Sequence, residues 1–386
     1  MCAAALFGFP ARRLSCIAIA GTKGKTSTAY FLHGILQHAG HPCALFTTSG
    51  GKIKNDAFLN TWKMTTPDPF SLQRFLASAV RAGCSHAVIE VSSHALKQHR
   101  TVLIPFAVVL ITNLAPDHLE YHASADEYIR VHEKILSKHT RAILINADDA
   151  HSAFFAKDPR TIPFSQSTIH ADCAKPPPQW WAALQKPNLA AACAAARALG
   201  KTNEDICSAL LTLTAPPGRF EEIIKGQDFR VIVDYAHSPE SLMFFFKAVR
   251  PLISQKIIVV FGACGDRDPV QRPRMGAVLQ RYADMIILTS DDPYSEQPAD
   301  IARQVQTGIT DESKELLTIL DRKEAIRKAL EIARKNDCAC ILGKGAEQFQ
   351  VFKNKKIPWD DRVITKVLLA EQCGKKTMLN LTNPKN

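Results

Sequence analysis

The sequence predicts an α/β protein of two domains: a phosphate-loop domain built on a mostly parallel sheet, then a smaller Rossmann-like α/β domain. Three observations carry this reading. Apolar, β-branched runs alternate with amphipathic stretches at helical spacing. The first such run leads into a glycine loop that opens a helix. The length, 386 residues, exceeds what one hydrophobic core usually organises.

Taken in order, the first half offers strands at Leu14–Ala20, His86–Val91, Phe106–Thr112 and Ala142–Asn146. Helices are expected at Thr26–Ala39, stopped by Gly40, and at Ser71–Ala82, stopped by Gly83, since glycine tolerates the left-handed residue that ends a helix. A long helix, Ala125–Lys138, follows the segment NLAPDHLEYH. The run AKPPPQ, with Pro176 and Pro178, reads as a surface loop, and Lys186–Leu199 as an Ala-rich helix. A second βα series has strands Phe229–Val233, Lys256–Gly262, Met285–Thr289 and Cys338–Leu342. Its helices are Pro239–Val249, Pro273–Tyr282 and Arg322–Lys335. Two prolines and a glycine in Thr214–Gly218 mark the joint, which gives domains 1–213 and 214–386. The polar tail Lys375–Asn386 is expected to fray.

A hydrophobic content of 46% with 22% charged residues is that of an ordinary globular protein. The excess of 48 basic over 37 acidic residues, +11, suits an anionic substrate such as a nucleotide, or nucleic acid, or simple solubility. No recognition helix or aromatic-basic platform is visible, so a nucleic-acid partner is not expected. The 11 cysteines lack the paired spacing of a zinc site. Cys338 and Cys340 lie in the apolar run CACIL and read as reduced thiols in a buried strand, which points to a cytoplasmic protein. The first apolar run is short and the second leads straight into the glycine loop, so neither a secretory signal nor a membrane span is expected.

The strongest local signal is IAIAGTKGKTST. After the strand, Gly21, Thr22, Lys23, Gly24 and Lys25 form a loop that enters a helix at Thr26 and Ser27. Glycines let backbone N–H groups approach phosphate oxygens, the helix N-terminus adds positive potential, and Lys25 reaches the β/γ-phosphates. The Thr26 hydroxyl suits Mg2+, an oxygen-seeking cation. The spacing is GxxGKT, with Ile19 where the longer phosphate-loop pattern has its first glycine. Glu90 interrupts the apolar strand AVIEV. A buried carboxylate needs company, either a metal ion or a salt-bridge partner. His118, in the loop after Phe106–Thr112, is a candidate ligand for a second cation or a solvated loop residue.

In chain order these segments, from GTKGKT to GKGAE, resemble the Mur ligase family, most closely its branch that adds the third residue of the peptidoglycan stem, the UDP-N-acetylmuramoyl-tripeptide synthetases. The resemblance implies an ATP-dependent acid–amino-acid ligase that releases ADP. It would add an amino acid, a diamino acid by preference, to a UDP-N-acetylmuramoyl-dipeptide-like acceptor through an acyl phosphate, in peptidoglycan precursor synthesis. Lys25 and Thr26 would handle the ATP phosphates and Mg2+, with Glu90 as a metal ligand. His118 matches the histidine of the family's NxxxDH segment and would hold a second metal. Lys134, in VHEKIL, matches the lysine that the family carbamylates; unmodified, a lysine is repelled by cations, but as a carbamate it becomes an oxygen ligand. Thr65, Thr66, Ser92, Gln98 and Arg100 fit positions that hold the muramoyl peptide, and hydroxyls, an amide and a guanidinium suit an acidic, sugar-bearing peptide. Arg219 in GRFE, with Asp234 and His237 in VDYAHSPESL, resembles the hinge and nucleotide-side segments. Arg267 would meet the incoming amino acid's carboxylate; Asp291, Asp292, Pro293 and Tyr294 occupy the selection motif. Gly343 and Glu347 belong to GKGAE, where Glu347 would accept the distal amine of a basic amino acid.

Three departures qualify the match. Only twenty residues precede Gly21, where the family carries a uridine-binding domain; either nucleotide-sugar recognition is weakened or supplied otherwise, as by a separate chain to a monomeric enzyme, or the acceptor differs. Tyr294 stands where diaminopimelate-selecting relatives have arginine, and it cannot make the bidentate ion pair with a far carboxylate. Ala346 replaces a usual histidine. The expected mechanism has ATP between the domains, which close about Thr214–Gly218. The rival readings are another amide ligase on the same plan, such as a folylpolyglutamate synthase, and a catalytically silent Mur-like binding protein.

Overall fold

The computed structural model describes residues 2–60, 62, 64–115, 121–167, 182, 184–353 and 355–382. His118 and the Pro176–Pro178 loop lie outside the described residues. The chain forms two compact units, Met1–Pro216 and Pro217–Asn386.

The first unit begins with a short helix, α1 (Cys2–Leu6), and a 3-10 turn before β1 (Ser15–Ala20). β1 is central: every residue from Cys16 to Ala20 is fully buried, as small and branched apolar side chains on both faces require. The following elements are α2 (Lys25–His38), β2 (Cys43–Thr47), β3 (Gly50–Ile53), β4 (Asp56–Phe58), α3 (Pro69–Arg81), β5 (His86–Glu90), α4 (Ser93–Lys97) and β6 (Phe106–Ile111). After α5 (Ala125–Arg130) come β7 (Ala142–Asn146) and β8 (Thr161–Phe164). The sheet order is β4-β3-β2-β5-β1-β6-β7-β8. Strands β2, β5, β1, β6, β7 and β8 run parallel, and β3 and β4 add an antiparallel edge. β1 lies between β5 and β6 and runs parallel to both, so the loops leaving these three strands emerge together at their carboxyl ends, where open α/β sheets bind ligands.

Local chemistry sets the helix ends. Asp68 caps α3 by accepting from Phe70 N and Ser71 N, with Pro69 in the first turn. Against the first face of the sheet α2 packs on the helix Lys186–Ala198, whose alanines permit close approach. The expected long helix Ala125–Lys138 does not form as one piece. It is α-helical to Arg130 and then tightens into a 3-10 turn, Val131–Ile135. At this turn the His132 ring donates through Nδ1 to Tyr128 O at 2.9 Å, a side-chain bond that competes with the backbone ladder for that carbonyl.

The second unit carries β9 (Glu221–Glu222), β10 (Arg230–Asp234), β11 (Ile257–Phe261), β12 (Met285–Leu288), β13 (Glu315–Thr318) and β14 (Cys338–Leu342). Their order is β13-β12-β11-β14-β10-β9, parallel except for β9. A separate hairpin pairs β15 (Phe349–Phe352) with β16 (Lys355–Pro358). Its core is Val231, Val233, Ile258, Val260, Ile287 and Ile341 with the helical Ile326, Leu330 and Leu368. The fully buried pair Arg322–Asp361, 2.7 Å apart, ties the start of the helix Arg322–Ile332 to the helix Asp361–Thr382. That last helix runs into the tail expected to fray. Cys338 and Cys340 are buried free thiols, 3.6 Å apart. No helix among the described residues is long and apolar enough to cross a membrane.

Candidate functional site

In the first unit the site grows from the loop after β1. Gly21 has φ 117° and Gly24 φ 82°, backbone conformations that side chains rarely adopt. Space closes the case: a Cβ on Gly21 would lie 2.5 Å from Thr112 Oγ1, and one on Gly24 would collide with Asn188 Oδ1. The β6 loop holds this loop in place. Thr22 N donates to Asn113 O at 2.9 Å, Lys23 N to Asn113 Oδ1 at 3.0 Å, and Thr112 Oγ1 to Lys23 O at 2.7 Å. Lys25 curls over its own loop and donates to Gly21 O and Thr22 O, each at 2.8 Å. Ser27 is buried behind it.

Glu90, at the end of β5, is 2% exposed. Its Oε2 accepts from Thr26 Oγ1 and from Thr48 N, both at 2.9 Å, and Thr48 Oγ1 lies 3.1 Å from Oε1. These partners are neutral, and among the described residues no lysine or arginine pairs with the carboxylate. A buried anion held only by neutral donors is poorly compensated. The oxygen donors of Thr26 and Glu90, beside a glycine cradle, therefore fit a hard divalent cation such as Mg2+.

The segment expected to supply the second cation's ligand behaves differently. Lys134 is exposed on the 3-10 turn. The buried residue is His132, two positions earlier and fully shielded from solvent. With Nδ1 donating to Tyr128 O, its Nε2 has no partner among the described residues. Burial lowers its pKa to about 4, and the Lys25 ammonium is close enough to contribute. The imidazole is neutral at physiological pH. Tyr128 links it to the loop: Thr22 Oγ1 donates to Ala115 O at 2.6 Å, so the Tyr128 hydroxyl, 2.7 Å away, donates to Thr22. The spacing Tyr128–His132, one helical turn, between the apolar Val131 and Ile135 was the signal that His132 rather than Lys134 points inward.

The five residues expected on the acceptor side form one connected group at the end of β5. Thr66 Oγ1 donates to Glu90 O at 3.0 Å and accepts from Ser92 N at 3.1 Å. Thr65 Oγ1 lies 3.0 Å from Thr48 Oγ1, which also touches Glu90. Arg100 Nη1 donates to Thr66 O at 2.7 Å, and its Nε to Gln98 Oε1 at 2.9 Å. Ser92 caps α4 through Ala95 N.

In the second unit Asp234, buried at the end of β10, accepts from Phe220 N and Ala236 N at 2.8 Å each, and burial raises its pKa. It fixes the GRFE segment, where the Arg219 guanidinium lies 4.5 Å from the Tyr235 ring centre. His237 is exposed and bonds Tyr235 O through Nδ1. The centre of this unit's site is Lys344, which sequence reasoning passed over. Its buried Nζ lies 3.2 Å from Asp291 Oδ1, 2.9 Å from Asp292 Oδ1 and 2.8 Å from Glu347 Oε2. Burial works against the ammonium, but the three carboxylates outweigh it and raise its pKa. A lysine between two glycines after a wholly apolar strand was the available signal. Gly343 lies against Asp291, and Gly265 N donates to Asp292 O at 2.8 Å. Pro293 is buried, Tyr294 takes a left-handed φ of 49°, and Arg267 is exposed.

Comparison with known proteins finds relatives along most of both units. Residues 19–183 match the Mur ligase middle domain and residues 218–345 the Mur ligase, glutamate ligase domain. A UDP-N-acetylmuramoyl-L-alanyl-D-glutamate--2,6-diaminopimelate ligase from Caldanaerobacter subterraneus subsp. tengcongensis is 36% identical, across 94% of this chain and 79% of that protein. The enzyme of that name from Nostoc sp. is also 36% identical, across 96% and 80%. A solved structure of such a ligase superposes with a TM-score of 0.63 at 28% identity, covering 93% of this chain and 79% of the other. E. coli FolC in complex with DHPP and ADP shares the fold, with a TM-score of 0.65 at 16% identity over 97% and 93%. With a phosphate loop, a buried strand-end glutamate and both domain matches in order, this chain belongs to the Mur ligase family.

Proposed function

We propose that the protein is an ATP-dependent ligase that couples an amino acid to a UDP-N-acetylmuramoyl-dipeptide acceptor through an acyl phosphate, releasing ADP and phosphate. The observation that carries this is Glu90, a buried carboxylate bonded to Thr26 of the phosphate loop and held, among the described residues, by neutral donors alone. Thr26 and Glu90 would hold Mg2+, which supplies charge neutralisation to the transferring phosphoryl group. Backbone N–H groups from Gly24 onward, at the start of α2, would bind the phosphates, and Lys25 exchanges its loop carbonyls for phosphate oxygens.

A carboxylate resists attack by an amine because it is anionic and has no good leaving group. Phosphorylation by ATP removes both obstacles. The amine lone pair then forms the C–N bond, the C–O bond to phosphate breaks, and the amine's extra proton passes to solvent. The Thr66–Ser92–Arg100 group orients the acceptor, and Arg100 meets its carboxylates once it releases Gln98. The second unit would bind the amino acid. Three carboxylates around one ammonium leave an excess of negative charge, and Glu347, 39% exposed, is its open member. That favours a substrate bearing a second amine. Tyr294, a neutral phenol, offers no ion pair to a far carboxylate, which favours a diamino acid without one.

The test is ADP release with ATP, Mg2+, a UDP-muramoyl dipeptide and a panel of amino acids, with dihydrofolate plus glutamate as a parallel arm. Turnover with the muramoyl acceptor and a diamino acid is expected. Turnover in the folate arm alone overturns the reading.

A further inference from the structure

The carbonyl of Tyr128 can only accept, so the 2.9 Å bond to His132 Nδ1 places the ring proton there. Among the described residues no donor meets the lone pair of Nε2, which lies inside the protein. A buried acceptor without a partner is costly and rare. Phosphate oxygens bring no proton to it. A neutral imidazole whose other nitrogen is bonded to a backbone carbonyl is the arrangement that readies a histidine for a metal ion. The ring packs edge-on against Tyr128, centroids 5.2 Å apart, and the Tyr128 hydroxyl bonds the phosphate-loop residue Thr22. Lys134, by contrast, is exposed.

We propose that His132 Nε2 is a direct ligand of a divalent cation beside the ATP phosphates, and that Lys134 carries no carbamate and binds no metal. The inference deepens the ligase reading and rests on it for the cation and nucleotide. It has two chemical consequences. Cation binding needs no carbon dioxide, and one anionic oxygen is replaced by a neutral nitrogen, which moves the site's preference from Mg2+ toward later divalent metals.

The experiment uses Mn2+ with a non-hydrolysable ATP analogue on the full chain. Pulsed electron paramagnetic resonance of bound Mn2+ reads imidazole nitrogen coupling directly. Coupling is expected in the wild type, reduced in His132→Gln and unchanged in Lys134→Ala. His118→Gln is expected to retain the coupling that His132 supplies. Mn2+ affinity in His132→Gln should fall by at least the roughly 10–100-fold that loss of an outer-shell partner causes. Carbon-13 spectra in labelled bicarbonate should show no carbamate. A carbamate on Lys134, or nitrogen coupling unchanged by His132→Gln, overturns the proposal while leaving the ligase reading intact. A His132→Gln protein that fails to fold shifts the decision to His118→Gln, where bound Mn2+ without nitrogen coupling overturns it. Absence of both nucleotide and Mn2+ binding in the wild type overturns this inference and the ligase reading together.

Discussion

Replacing Lys344 with methionine keeps most of the side-chain volume and removes one buried ammonium from among three carboxylates. Asp291 and Asp292 are 6% and 5% exposed at the side chain, so neither gains much solvent in exchange. Removing one partner of a buried ion pair costs about 3–5 kcal/mol. The Glu347 contact is discounted, because that side chain is 39% exposed and screened by water. For a unit of this size each kcal/mol moves the midpoint by about 2–4 °C, so the second unit's transition should fall by roughly 6–20 °C. The pH dependence supplies a sign. In the wild type, burial pushes the Asp291 carboxyl upward, but Lys344 and then Arg322 outweigh it and hold it below its usual value. That contribution is complete above the unfolded-state pKa of about 4 and is lost only as pH falls through the lower folded value, so it is flat between about pH 5 and 8. Without the ammonium, burial prevails and the folded value rises above the unfolded one. The variant's penalty is then full at high pH and shrinks as acid protonates the pair. Calorimetric scans of the full chain at a series of pH values test this. A midpoint within about 2 °C of wild type at neutral pH, or a gap that widens on acidification, refutes the reasoning.

Glu90→Gln keeps an acceptor for Thr26 but removes the buried charge. Stability without metal should hold or rise slightly, while the Mg2+ concentration needed for ADP formation increases at least about 10-fold, roughly the loss of one ligand's worth of affinity; metal-dependent kinetics and calorimetry check both. Gly24→Ala forces a Cβ into Asn188 at φ 82°, and calorimetric titration should show nucleotide affinity falling by about 10-fold or more, a cost of at least ~1.4 kcal/mol. Arg100→Lys loses the planar fork that bonds Thr66 O and Gln98, so the acceptor's KM should rise about 10-fold with the KM for ATP unchanged. An equal rise in both constants contradicts an acceptor-side role.

Where the sequence was readable, a single physical signal dominated. Ala142–Asn146 and Cys338–Leu342 are wholly apolar runs closed by Asn and Gly, and both are strands over those residues. The antiparallel edge β2-β3-β4 was missed because Gly50–Ile53 and Asp56–Phe58 are too short and polar to show alternation; only contact reveals that the Phe58 ring lies over Gly51. In the site, Gly21, Gly24, Lys25, Thr26 and Glu90 were legible because a strand, a glycine loop and a helix start have local signatures. Their bond, Thr26 to Glu90, spans 64 residues and depends on the parallel pairing of β1 with β5. His132 and Lys344 were not read, for opposite reasons. The one-turn spacing of Tyr128 and His132 between Val131 and Ile135 did mark His132 as the inward residue, but the family resemblance pointed to Lys134 instead. Lys344 needs Asp291 and Asp292, which arrive from another strand end.

Binding of Mg2+ and ATP by the loop Gly21–Thr26 is the claim on which the rest depends. Isothermal titration of the wild type and Lys25→Ala with MgADP, paired with ADP release in the presence of acceptor and amino acid, measures it most directly. The account predicts Mg2+-dependent nucleotide binding in the wild type, with turnover reduced by roughly 100–1,000-fold or more in Lys25→Ala and an unchanged melting profile. Equal turnover in the two proteins would contradict it.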